Sequence, residues 1–122
     1  MLFRSPVNAD AVTLRWAHRV RNQHSVFSNG QQFRVEIRGT NDAPLAVAFS
    51  TQPGDALLQD WSERSFDLMS FRGQTIRVTF VEQNLSTQLN AHVDNVSVRV
   101  TRPNSTVFDV YFGTNPVPGP AQ

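Results

Sequence analysis

Asp94 and Trp61 are the residues whose type and setting point most directly to chemistry. In residues 89–100 the apolar positions start odd, at Ala91 and Val93, and continue even, at Val96, Val98 and Val100. Side chains alternate strictly along a strand, so both halves face one core only if an extra residue, a bulge, sits near Asp94 and Asn95. One of those two polar side chains is then expected to point inward. An inward carboxylate must find hydrogen-bond donors or a cation to offset its lost hydration, and both partners stay open for Asp94.

Trp61 follows Asp60 in a polar stretch. An exposed indole offers a flat face on which a sugar ring can stack, with nearby polar groups supplying hydrogen bonds. The alternative is a packing role, with Trp61 covering one end of the molecule, since large aromatic side chains are mostly packing elements. Two other loops could reach a ligand: residues 22–30, with His24 and Phe27, and residues 83–90. The candidate ligand-binding set is therefore Trp61, Asp60, His24 and Phe27.

Catalysis requires a base beside a nucleophile, or paired carboxylates at a fixed separation. His18, His24 and His92 are scattered, and no Gly-x-Ser-x-Gly or His-x-x-x-His pattern occurs. Glu36 is expected on a water-facing strand surface between Arg34 and Arg38. The chain reads as non-catalytic. The Asn-x-Ser/Thr triplets at Asn84, Asn95 and Asn104 are short enough to arise by chance and carry no inference.

The elements that must hold these residues are strands. Residues 11–18 place Val12, Leu14 and Trp16 on one side, and residues 32–38 place Phe33, Val35 and Ile37 inward. Gly39 to Asp42 supplies a hairpin turn. In residues 44–50, Leu45, Val47 and Phe49 are expected inward, with Ala46 and Ala48 outward beneath some covering element. After a Pro-Gly turn at residues 52–55, the run 61–68 carries Phe66 and Leu68 inward. Gly73 then opens a strand with Ile76, Val78 and Phe80 inward. Phe33, Phe49, Phe66 and Phe80 all fall on core parity, so the face bearing Arg34, Glu36, Arg38, Arg77 and Thr79 has no ring for stacking. No segment repeats at 3.6 residues, so an all-β sandwich or barrel with little or no helix is expected.

Composition agrees with a folded domain. In a chain of 122 residues, 39% hydrophobic against 17% charged residues is far from the disordered regime. The 11 basic residues are all arginine and are interspersed with 10 acidic ones, so no contiguous basic stripe speaks for nucleic acid. Without cysteine there is no disulfide framework or thiolate metal site. No apolar run reaches the roughly 20 residues of a membrane span, and no signal-peptide pattern opens the chain. Met1 to Ser5 show no periodic partner for Leu2 and Phe3 and read as foreign to the domain, with the true first strand lost.

Two stretches give the chain a family likeness. Residues 65–80, from Ser65 and Phe66 through Gly73 to Phe80, and residues 92–98, with His92, Asp94, Asn95 and Val96, resemble the galactose-binding-like jelly rolls of bacterial secreted proteins. That group is akin to carbohydrate-binding modules and MAM domains. The resemblance implies a jelly-roll β-sandwich of two antiparallel sheets over residues 6–101, in an extracellular or cell-surface protein. It implies neighbouring domains of the same polypeptide as partners, with glycans as further ones. It also implies a structural calcium held by the last-strand aspartate that Asp94 matches. Phe108 to Pro116 resembles one strand of a fibronectin type III-like module, so residues 102–122 are expected to be a linker, an incomplete strand of a second module and a Pro-rich tail. The expected function is that of a non-catalytic accessory module. Carbohydrate binding around Trp61 is the alternative, and a domain appended to a secreted hydrolase is a further one.

Overall fold

The computed structural model describes residues 1–85, 88–102 and 106–112, with backbone alone at 106–108, 111 and 112. Eight strands follow one another: β1 (Leu2–Arg4), β2 (Ala11–Asn22), β3 (Gln32–Arg38), β4 (Pro44–Ser50), β5 (Leu58–Asp67), β6 (Thr75–Gln83), β7 (Leu89–Arg102) and β8 (Thr106–Phe112). The one helical element among the described residues is a single 3₁₀ turn, Met69–Phe71. None of their helices is long and apolar enough to cross a membrane.

The strands form two four-stranded antiparallel sheets, ordered β1-β6-β3-β4 and β5-β2-β7-β8. The pair β3–β6 in the first sheet is nested in sequence within the pair β2–β7 in the second, which is the winding of a jelly roll. Alternation explains what lies between the sheets. Val12, Leu14, Trp16 and Val20 from β2, Phe33, Val35 and Ile37 from β3, Ile76 and Val78 from β6, and Val96, Val98 and Val100 from β7 share one core. Burying each such side chain contributes about 1.5–3 kcal/mol relative to leaving it in water.

The expected hairpin between β3 and β4 forms at Gly39 to Asp42, where Gly39 N–H donates to the Ala43 carbonyl at 2.9 Å. Gly73, at φ 76°, turns the chain into β6, and a Cβ there would lie 2.6 Å from Val7 Cγ1.

Four expectations are corrected. Leu2 and Phe3 do have partners: Leu2 pairs with Arg77 and Phe3 with Ile76, and Phe3 packs against the core. The strand read as the start of a second module is β8, which pairs with β7 from Arg102↔Thr106 to Val96↔Phe112 and closes the second sheet. A domain boundary at residue 101 would cut that hairpin. The Pro-rich residues 116–120 lie outside the described residues.

The third correction concerns β4. Its register against β3 steps from Val35↔Phe49 to Glu36↔Val47, leaving Ala48 as an extra residue. This bulge reverses the phase of the strand. Ala46, Ala48 and Phe49 pack against the core, whereas Leu45 and Val47 are 46% and 56% exposed.

The fourth concerns Glu36, which points away from the core yet is only 8% exposed. Arg34 Nε and Arg38 Nε both donate to its carboxylate, the latter at 2.7 Å. Arg34 also reaches Gln83 Oε1, while Arg38 and Arg77 share Asp42 at 3.1 and 3.4 Å. Arg34, Arg38 and Arg77 on the first sheet's outer face are thereby linked to Glu36 and Asp42 in one ladder.

Candidate functional site

The β7 bulge forms where the phase slip predicts it. Arg15 pairs with Ser97 and Ala17 with Asp94, so Asn95 and Val96 together oppose Trp16. Asn95 has φ 55°, the left-handed region that asparagine tolerates better than most residues. Contrary to expectation, neither polar side chain turns inward: Asp94 and Asn95 are both exposed. Asp94 Oδ1 accepts the Asn95 N–H at 2.8 Å. Among the described residues no group of three or more His, Asp or Glu side chains is placed to hold a metal ion. The calcium that the resemblance implies therefore lacks the inward ligand from which it was read.

Asp60 does the same work at a second bulge. Between His18 and Val20 of β2, the partner strand advances from Ser62 to Gln59, so β5 carries one extra residue. Asp60 Oδ1 accepts the Trp61 N–H at 2.8 Å. A bulge displaces an amide from the ladder, and an aspartate one residue earlier satisfies it.

Trp61 thus sits on a strand, neither in a loop nor over an end of the sandwich. It is 46% exposed. The Arg19 guanidinium carbon stands 5.4 Å from its ring centroid, a cation–π distance. Arg19 in turn pairs across the sheet with His92, and its Nη2 lies 2.8 Å from His92 Nδ1. Because guanidinium only donates, Nδ1 must accept, which puts the imidazole proton on Nε2. Trp61, Arg19 and His92 therefore form one row across β5, β2 and β7. The next row along the same face holds Leu58, Arg21 and Asn90, and the row on the other side holds Glu63, Ala17 and Asp94. Beyond the Asn95 bulge the face dips into a depression of about 280 Å³ lined by Arg15, Glu63, Arg99 and Asp109, among others.

The remaining candidates are placed elsewhere. Phe27 is fully buried and belongs to the core, a correction to its reading as a ligand contact. Its loop is held by amides: Gln31 Nε2 and the His24 N–H both donate to Asn22 Oδ1, at 2.9 and 3.0 Å, and Leu85 N–H donates to Gln31 Oε1 at 2.8 Å. His24 is half-buried within this clip. In the loop 83–90, Ser86 and Thr87 lie outside the described residues.

Arg19 and His92 escaped the sequence reading. Their signal was weak: Arg19 sits immediately beyond the run of clean alternation over residues 11–18, and His92 lies 73 positions away. Only the β2–β7 register joins them.

Comparison with protein-family models finds none that matches the chain, and comparison with curated proteins finds no significant match.

Proposed function

We propose that the chain is a non-catalytic binding module of a larger extracellular or cell-surface protein, and that its ligand is a carbohydrate received on the outer face of the β5-β2-β7-β8 sheet. The observation that carries this reading is the half-exposed Trp61 ring on a strand, with Arg19 against it and the hydrogen-bonding side chains of His92 and Asn90 on the strand beyond Arg19 across the same face. Stacking on a flat ring and hydrogen bonding at its rim are what a sugar, apolar on its faces and polar at its edge, requires. Groups that could serve acid–base chemistry are engaged elsewhere: Glu36 by two arginines, and His18 within the core. The extracellular setting rests on the family resemblance alone.

A glycan array followed by affinity electrophoresis tests the reading. The intact chain is expected to retain at least one polysaccharide, and Trp61→Ala to weaken that retention roughly tenfold. An array with no binding at all would overturn it.

The exposed Leu45 and Val47 favour a second role on the opposite sheet, contact with a neighbouring domain of the same polypeptide. Val47→Asp in the full-length protein should then loosen the tether between domains, read as faster proteolysis of the junction. Unchanged cleavage would count against it.

A further inference from the structure

Each outer face carries both paired and unpaired arginines: among the described residues Arg4 of β1 makes no ion pair, whereas Arg99 of β7 pairs with Asp109. On the first sheet, Arg34, Arg38 and Arg77 are each paired with Glu36 or Asp42. On the second, Arg15, Arg19 and Arg21 alternate along the outward side of β2, and among the described residues none of the three makes an ion pair. Arg19 is held in place without neutralisation, by the Trp61 ring on one side and by His92 on the other. A fixed cation without a counter-ion against a half-exposed aromatic ring is complementary to an anion built into a flat ring.

From this we infer that the ligand is an acidic saccharide, a sugar bearing a carboxylate, with its ring on Trp61 and its carboxylate on Arg19, Arg21 and the Nε2–H of His92. This rests on the carbohydrate reading above and specifies the class of sugar. A planar carboxylate matches the fork of a guanidinium, and charge-assisted hydrogen bonds of this kind are roughly twice as strong as neutral ones. Acidic groups also border the site. Asp60 and Asp94 each give Oδ1 to the following N–H, and Glu82 accepts the Ala91 N–H at 2.9 Å. Glu63 and Asp94 flank Ala17, one row away from Arg19 on the side opposite Arg21. The basic end of the face is therefore the Arg19–Arg21 end, where Trp61 lies.

The test is isothermal titration of the full chain with an oligogalacturonate, with the same oligosaccharide reduced at its carboxyl groups, and with polyglutamate. The oligogalacturonate is expected to bind at least about tenfold more tightly than either of the others. Trp61→Ala should weaken both sugars, whereas Arg19→Gln should abolish the preference for the acid form by weakening the oligogalacturonate more than the reduced sugar. Arg21→Gln, at an exposed position, should diminish the same preference and serves if Arg19→Gln does not fold, as judged by circular dichroism. Equal binding of acidic and reduced sugar, equal binding of polyglutamate, or a preference that survives the arginine variants would overturn the acidic class while leaving a carbohydrate module in place. Absence of binding to both sugars, with other glycans retained on the array, would overturn the acidic class alone, and absence of all glycan binding would overturn both readings.

Discussion

The indole N–H of Trp16 donates to Nδ1 of His18 at 2.9 Å inside the sandwich. Trp16 and His18 lie two residues apart on the inward side of β2, and the bond settles the histidine's tautomer, because an indole only donates. The His18 proton is therefore on Nε2, among the rings of Phe33 and Phe49, with centroids at 5.2 and 4.7 Å. Burial, reinforced by the positive charge of Arg64, lowers the pKa of His18 from 6.5 to about 4.

A pH dependence of stability follows from this pair. The unfolded chain takes up a proton at His18 near pH 6.5, but the folded chain resists until about pH 4. Stability from this residue is complete above pH 6.5 and falls as the pH drops through the window to about 4, by on the order of 3 kcal/mol in total. Urea midpoints measured across that window are expected to decline, and His18→Phe to flatten the decline while lowering stability overall, because the Trp16 N–H loses its acceptor. A wild-type midpoint constant between pH 6.5 and 4 would refute the buried neutral histidine.

Glu36 acts in a more acidic window. The hydrogen bond from Arg34 holds its carboxyl below its ordinary value, opposed by burial and assisted by Arg38. Its contribution is complete above the unfolded carboxyl pKa and is lost as the pH falls through the lower folded one. Glu36→Gln should cost about 1–3 kcal/mol at neutral pH, because two arginines lose a charged acceptor. The same substitution in an Arg34→Gln, Arg38→Gln background should cost much less. Equal costs in both backgrounds, by thermal melt, would mean that the ladder contributes nothing as a unit.

The left-handed backbone at Asn95 gives a third expectation. Asn95→Gly should alter stability by only a few tenths of a kcal/mol, whereas Asn95→Val should cost about 1–2 kcal/mol, since a β-branched residue resists positive φ. Equal melting temperatures for the two variants would argue that the bulge relocates when its residue is changed.

Legibility followed the strength of the alternation. In β2, β3 and β7, large apolar residues alternate with arginines, glutamate or serine, so only one phase buries the apolar set. Even the β7 bulge was visible, as a slip between Val93 and Val96. In β4 the string Leu45, Ala46, Val47, Ala48, Phe49 is apolar throughout, and either phase buries a hydrophobic face. Pairing with β3, through Phe49 on Val35, decides between them, and pairing is invisible in a single segment. The same holds for β8, whose place in the second sheet depends on a hairpin with β7. Trp61 was recognisable by type alone, but Arg19 and His92 join it only through the registers of three strands. Phe27 misled because it lies in a mostly polar stretch, residues 22–30, with no alternating partners, whereas in space it plugs the core.

The amide clip of Asn22, Gln31 and Leu85 bears on how the proposed ligand would arrive. It fastens the 22–31 connection to Leu85, so the 22–31 loop is tied down at its base. On the carbohydrate reading proposed above, a ligand then meets the open pleated surface of the β5-β2-β7-β8 sheet directly. An open face of this kind would suit the proposed role through rapid, reversible attachment to a long polymer offering many equivalent landing points.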